Sequence, residues 1–450
     1  MLTPSALPSV AVIGSGISGL AAAYRMAEFA KVTLFEAGPY FGGHTHTVDI
    51  HLEGQTHGVD TGFLVFNERT YPQLIALFAE LDVATAPSDM SFSVQAPASN
   101  LEWSGSDLNS VFAQRRNLVS PSFLRMLWDI GRFNQQATRL ALQLEAGEFG
   151  AADAATQRAL DQPIADFLDQ HRLGTAFREG YLLPMIGCIW SCPTDQMLQF
   201  PVATLVRFCH NHGLLQVRDR PQWFTVRGGA RHYVDKILQR LPDARLNCPV
   251  QAVRRVQDRP GEPGVLVHSA RGEERFDDVV LACHSDQSLA LLSDASPTER
   301  SLLGAIRYHP NRAVLHTDTA LLPRRRLAWA AWNYERALDR GREEAGVCLH
   351  YWLNRLQPLP WQQPVVVSLN PARAPRADSV LGEFDYAHPV FDRAAIAAQQ
   401  RLGEIQGRSH VWFCGAWMRY GFHEDGLRAG LAVAQQWHAQ AAPTAWRSAA

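Results

Sequence analysis

An unbroken apolar run from Val10 to Ile13 is followed by a glycine-rich turn. Apolar positions then recur at Ile17, Leu20, Ala21 and Tyr24, three and four residues apart. The run has the length and composition of a strand buried on both faces, and the spacing after it marks one face of a helix. Val32 to Phe35 is a second buried run, so the pattern predicts strand, turn, helix and a parallel strand. Thr47 to Leu52 alternates as a strand, with a hairpin turn at Gly54-Gln55. Pro72 opens an amphipathic helix over Tyr71 to Leu81. From Asp82 to about Pro221 the pattern reads as largely helical, with Phe112, Phe123, Trp128 and Phe133 at loose helical spacing. Strand character returns at Trp223 to Val226. A helix from Arg231 to Leu241 follows, then a strand through Val250, a hairpin around Gly261 to Gly264, and a buried strand from Phe276 to Cys283. Beyond Ser296, runs beginning at Val314, Leu327, Val347 and Val365 predict an antiparallel sheet packed on the helices. Val411 to Phe413 predicts a last strand, followed by a loop and a helix. The small, polar residues from Ala439 onward, with a lone Trp446, predict a frayed tail.

The first turn carries the clearest chemistry. In Gly14-Ser15-Gly16-Ile17-Ser18-Gly19, the first glycine permits the tight turn and the second lets a pyrophosphate approach the backbone. The third lets the helix lie close on the sheet. The helix start offers unpaired N–H groups and a partial positive charge to phosphate. Glu36 ends the second strand, where a carboxylate accepts ribose hydroxyls and repels a 2′-phosphate. An adenine dinucleotide is the expected ligand.

Directly after Glu36 comes Ala37-Gly-Pro-Tyr40-Phe-Gly42-Gly43-His44-Thr45, with five residues between the acid and the glycine pair. Here the chain resembles the flavin-dependent amine oxidase superfamily, which includes protoporphyrinogen oxidase and the carotenoid desaturases. The phrases Gly-Cys-Ile-Trp190-Ser, Trp-Asn-Tyr-Glu and Phe-His-Glu-Asp-Gly resemble a bacterial branch of it, NAD/FAD-binding proteins of unassigned substrate. The resemblance implies FAD, with Gly42 and Gly43 passing its pyrophosphate. It implies Thr61, Gly62 and Phe63 near the isoalloxazine, and backbone at Val250 against the adenine. Gly415 and Ala416 would lie beside the ribityl or phosphate end, and a helix start with N–H groups at Glu424, Asp425, Gly426 and Leu427 would lie under the ring. The chain departs from the pattern at Tyr40 and His44, where the superfamily places arginines, and at Ala416, where it places an acid. Imidazole donates a hydrogen bond to phosphate without being a permanent cation. The implied fold class is α/β. A Rossmann-like FAD-binding domain, discontinuous in sequence (residues 1–81, 222–295 and 409–438), is joined to an α+β substrate domain. The latter has a helical part at 82–221 and a sheet part at 296–408, and a tail at 439–450 ends the chain.

Composition narrows the rest. Lys plus Arg number 42 against 44 for Asp plus Glu, so no net field favours nucleic acid. Seven scattered cysteines suggest no disulfide framework and a reducing compartment. No signal peptide and no run of the ~18 apolar residues that a membrane span needs is seen, so a cytoplasmic location is expected. His44, His46, His51 and His57 lack a cysteine or carboxylate partner that would complete a closed ligand set, so no metal is expected there. Cys188 with Cys192, near Cys209 and His210, reads as buried apolar cysteine, with redox or metal use of the thiols as the other reading. Arg324 to Arg326 reads as a solvated turn or as a contact for anionic head groups in a transient membrane-surface contact. Trp190, Trp417 and Tyr420 are candidates to face a substrate, with loop and core packing as the other reading. His423, placed in the loop before the last helix, is the candidate for handling a proton.

The expected protein is an FAD-dependent oxidoreductase whose flavin N5 accepts hydride from a small molecule and passes electrons to an acceptor. Insertions rich in Leu, Phe and Trp lean toward CH–CH dehydrogenation of an apolar, lipid-like substrate. Amine oxidation at a CH–NH bond, and isomerisation with no net oxidation, stay open.

Overall fold

The computed structural model describes residues 7–145, 162–190, 197–216, 220–259, 262–336 and 347–441. Cys192, the tip of the hairpin at Gly261, and the tail from 442 to 450 with Trp446 lie outside these residues.

The opening pattern folds as it reads. Ser9–Ile13 pairs in parallel with Lys31–Phe35, and helix α1 (Ile17–Met26) crosses between them. Both strands are buried along nearly their whole length because α1 covers one face of the sheet and the antiparallel strands Val250–Arg259, Glu262–Ser269 and Gly272–Phe276 cover the other. The completed sheet has five strands in the order Asp243–Arg245, Lys31–Phe35, Ser9–Ile13, Asp278–Leu281, Val411–Phe413. Each neighbouring pair is parallel. Three distant stretches of chain thus build one sheet. The order reverses beside Ser9–Ile13, which opens a crevice at the carboxyl ends of the strands.

The second sheet has seven strands in the order Val380–Val390, Arg307–His316, Val366–Leu369, Cys348–Trp352, Trp332–Glu335, Phe92–Ala96, Leu101–Ser104. Its last two strands correct the reading of residues 82 to 221 as largely helical. Phe92–Ala96 pairs in parallel with Trp332–Glu335, about 240 residues away, so the partner that makes it a strand is invisible locally. Val380–Val390 was likewise not anticipated; its polar, half-exposed alternation resembles a loop until it pairs with Arg307–His316. Trp223–Val226 is a strand, but it pairs with Phe66–Asn67 and Thr85–Ser88 outside the five-stranded sheet.

Two helices complete the frame. Helix α2 (Pro121–Glu145) packs on the helix Val202–Asn211 and shares with it a core that includes Phe133, Phe177 and Phe208. Helix α3 (His423–Ala441) lies along α1. Two glycines one turn apart set its closeness. A Cβ at Gly426 would stand 2.8 Å from Ile17 Cγ2, and one at Gly430 only 2.1 Å from the Ser18 carbonyl oxygen. No helix among the described residues is long and apolar enough to cross a membrane.

Candidate active site

A cavity of about 790 Å³ opens where the first strand–helix turn, the last strand and both insertions meet. Its nucleotide end is backbone. Gly14 has φ +103°, and a Cβ there would lie 3.0 Å from the Ala282 carbonyl oxygen, so glycine is required on two counts. At Gly16 a Cβ would meet no protein atom within 4 Å, so the space beside that backbone is free for a ligand. Gly43 closes on it from the other side, its hypothetical Cβ 3.1 Å from Gly16 Cα. Glu36 fastens the turn. One carboxylate oxygen accepts the Ser15 N–H (3.1 Å) and hydroxyl (2.5 Å), and the other accepts the Gly38 N–H (2.7 Å).

Of the residues expected from sequence, Gly14, Ser15, Gly16, Ser18, Glu36, Ala37, Gly42, Gly43, His44, Gly62, Phe63, Val250, Gly415, Ala416 and His423 all line this cavity, and so do Trp190, Trp417 and Tyr420. Gly19 lies beneath it, where a Cβ would strike the Gly14 carbonyl oxygen at 1.9 Å. Thr61 sits behind the wall, its hydroxyl 2.7 Å from that of Tyr386. Glu424, Asp425, Gly426 and Leu427 stand outside the lining, for reasons the fold supplies. Helix α3 begins at His423, not after it, which turns the next residues toward neighbouring elements. The Glu424 carboxylate accepts the N–H groups of Gln73 and Leu74 (both 3.0 Å), capping the helix Pro72–Glu80. Asp425 accepts the Phe422 N–H (3.1 Å), Gly426 packs on α1, and Leu427 is fully buried.

The electrostatics of the wall are set by burial. Five histidines line the cavity: His44, His212, His284, His388 and His423. Burial pushes His44 well below its ordinary value, His212 and His388 down to about 4, and His423 down to about 3, and it lowers His284. All five are neutral at pH 7. His423 Nε2 lies 2.9 Å from the Tyr233 hydroxyl, which in turn meets the Thr45 hydroxyl, and the ring stacks on Phe63 at 3.8 Å between centroids. A ring so placed orients its neighbours through hydrogen bonding; it is a poor standing base. His44 Nε2 is buried with no hydrogen-bond partner among the described residues, in the position the departure from arginine singled out.

Several lining residues escaped the sequence. Cys283, His284 and Gln287 follow the strand Asp278–Leu281 at the crevice, and that strand's carboxyl end was a usable signal. Phe208, Tyr351 and His388 come from the insertions, where no local pattern points inward. Cys188 and Cys209 are free and buried, and burial raises the Cys209 thiol to about 12, in line with apolar packing. Part of the arginine run is structural, since Arg325 pairs with Glu102 at 2.9 Å.

The dinucleotide cradle, the orphaned imidazole and the room beyond them fit a flavin nucleotide. Comparison with known proteins agrees. The sequence profile of the family described as flavin containing amine oxidoreductase matches residues 17–331. A carotenoid phi-ring synthase of Streptomyces griseus is 29% identical over 309 residues, covering 64% of this chain and 54% of that protein, so the chain spans about half the length of this curated relative. A conjugated-linoleic-acid-producing fatty acid isomerase from P. acnes superposes with a TM-score of 0.65 at 14% identity, covering 96% of this chain and 99% of that one. Putrescine oxidase bound to putrescine superposes equally well, TM-score 0.65 at 15% identity, covering 96% and 99%. These two likenesses establish the fold. Matched over well more than half its length, the chain belongs to the flavin containing amine oxidoreductase family.

Proposed function

We propose that the enzyme dehydrogenates a CH–CH unit of an apolar, lipid-like small molecule and passes the electrons to a separate acceptor. The observation that carries this reading is the composition of the cavity wall. Among the described lining residues Glu36 is the only carboxylate, engaged by Ser15 and Gly38 at the nucleotide end, and none is Lys or Arg. The opposite end is walled by Met90, Phe92, Met185, Ile189, Trp190 and Trp332. An ammonium group entering there would lose its hydration and gain no carboxylate, a cost of several kcal/mol (roughly) before any cation–π return. An alkyl or polyene chain instead gains ~25 cal/mol for each Å² of apolar surface buried.

FAD, once bound, supplies the hydride acceptor. In this reading Gly14, Gly16 and Gly43 hold its pyrophosphate, Glu36 its ribose, and Val250 its adenine. Trp190, Trp417 and Tyr420 restrict the pose of the substrate. His423 acts as a neutral hydrogen-bonding group fixed by Tyr233 and Phe63. The residue groups 1–81, 222–295 and 409–438 form the cofactor-binding unit, and the insertions form the substrate unit. The S. griseus relative, named for making carotenoid rings, is in keeping with an apolar substrate. So is a transient membrane contact, which the exposed Leu108, Val119 and Trp128 favour. Leu108 and Val119 stand near Arg115, which bonds the Asn109 and Phe112 carbonyl oxygens, and the Leu108 helix packs beside the turn carrying Arg326 and exposed Leu327.

Anaerobic mixing of the FAD-loaded enzyme with isoprenoid and fatty-acid chains, and separately with aliphatic amines, tests the proposal. Bleaching of the flavin by an apolar chain, with a new double bond in the product, is expected. Bleaching by amines alone refutes it, as does a double-bond shift that proceeds without any acceptor.

A further inference from the structure

On the seven-stranded sheet, Glu335, Cys348 and His350 bring three ligand-type side chains together in the interior, outside the lining of the cavity. His350 Nε2 lies 2.9 Å from Glu335 Oε2 and 3.5 Å from Cys348 Sγ, and the sulfur lies 4.0 Å from the same carboxylate oxygen. All three residues are buried. The strand register places them on one face, because Glu335 pairs with Cys348 and Asn333 with His350. We propose that these three side chains form a structural site for one divalent transition-metal ion, of the zinc class.

Geometry is the first support. Zinc bonds of about 2.0–2.1 Å to nitrogen, 2.3 Å to sulfur and 2.0–2.2 Å to carboxylate oxygen place tetrahedral ligand atoms roughly 3.3–3.6 Å apart. The three observed separations bracket that range, so shifts of about half an ångström close the site. Charge is the second. One thiolate, one carboxylate and one neutral imidazole exactly balance a dication, which removes the main cost of burying any of them. The thiolate and imidazole select zinc-like ions over magnesium or calcium.

A supporting layer of hydrogen bonds orients the imidazole. The Asp318 backbone N–H donates to His316 Nδ1 (3.1 Å), so the proton of neutral His316 is on Nε2 and goes to Ser368 Oγ (2.7 Å). Ser368 Oγ has a second lone pair for the Nδ1–H of His350 (2.7 Å); that bond turns Nε2, 2.9 Å from Glu335 Oε2, toward Cys348 and Glu335, where an ion would take the place of the Nε2 proton. Gln95, opposite Glu335 on the neighbouring strand, shares the face, and it or a water can complete the fourth position. The opposite faces of the same strands carry Trp332 and Tyr351, which line the cavity with their rings 4.8 Å apart. The ion would therefore brace the back of the substrate wall.

The sequence shows no metal signature here because the ligands come from two strands that only pairing unites. The test uses the full FAD-loaded chain without an affinity tag, dialysed against a chelator and titrated with zinc chloride. We expect one zinc per chain by elemental analysis, a higher melting temperature with zinc, and loss of both in Cys348→Ala and His350→Gln. Glu335→Gln should weaken zinc at least tenfold. Cobalt should add visible bands and a thiolate charge-transfer band that vanishes in Cys348→Ser, with retained flavin reporting that each variant is folded. A wild-type chain that takes up no zinc overturns the proposal, as does zinc uptake unchanged in the folded variants.

Discussion

Replacing Gly430 by alanine should loosen FAD without touching it. The Cβ would stand 2.1 Å from the Ser18 carbonyl oxygen and 3.0 Å from Ala21 Cβ, whereas ordinary contact begins at 3.4 Å. The two helices must therefore part by about 1.3 Å (3.4 less 2.1) at this crossing. The struck atom is backbone of α1, so no side chain can swing aside. Overpacking of this kind costs ~1–3 kcal/mol or more, and alanine returns up to ~1 kcal/mol of helix propensity, leaving a net cost of about 2 kcal/mol. Ser18 lines the cofactor cavity and α3 starts at its wall, so the strain falls on the cradle itself. A net 2 kcal/mol corresponds to about a 30-fold weaker FAD complex. The assay is the flavin-to-protein absorbance ratio after gel filtration, followed by titration of the stripped protein with FAD. Gly131→Ala is the control, since its Cβ would meet nothing within 4 Å in an exposed helical position and should be neutral or slightly stabilising. FAD affinity in Gly430→Ala equal to that of the control would refute the reasoning.

Glu36→Gln should weaken FAD by about 10- to 100-fold, since charge-assisted bonds contribute ~1.5–3 kcal/mol and an amide NH₂ must then face the Ser15 or Gly38 N–H; unchanged flavin content would argue against a ribose role for the carboxylate. The cofactor-stripped chain should lose stability below neutrality. His212, His316 and His388 (about 4) and His423 (about 3) are held below the ~6.5 of the unfolded chain, so each contributes fully above pH 6.5 and loses about 1.4 kcal/mol per pH unit below it, down to its folded value. Asp60 and Asp425, raised by burial to about 6, act in the opposite sense below pH 6 and make the decline shallower. A denaturation midpoint no lower at pH 5.5 than at pH 7.5 would contradict this.

The dinucleotide corner was legible because its signal is short-range. Val10 to Glu36 carries strand, turn, helix and acid within one βαβ unit, and each glycine answers to a local demand of backbone conformation or clearance. The glycine pair at Gly42 and Gly43 and the return at Gly415 were reachable the same way, through spacing and resemblance, and all of them line one cavity. Orientation was harder. Glu424 and Asp425 sit at a helix start that the sequence placed after His423, and their side chains turn to Leu74 and Phe422, partners that no local pattern announces.

What the sequence determined by itself was the cofactor class, because phosphate binding is done by consecutive backbone groups whose geometry a few glycines dictate. What only the tertiary structure decided was everything built across large separations. Phe92–Ala96 becomes a strand by pairing near residue 332, Phe208 and His388 come to line one cavity, and Glu335 reaches His350. The spacing of apolar positions tells a segment which face to bury. It does not say which distant segment will cover that face, and that choice shapes the pocket and the wall behind it.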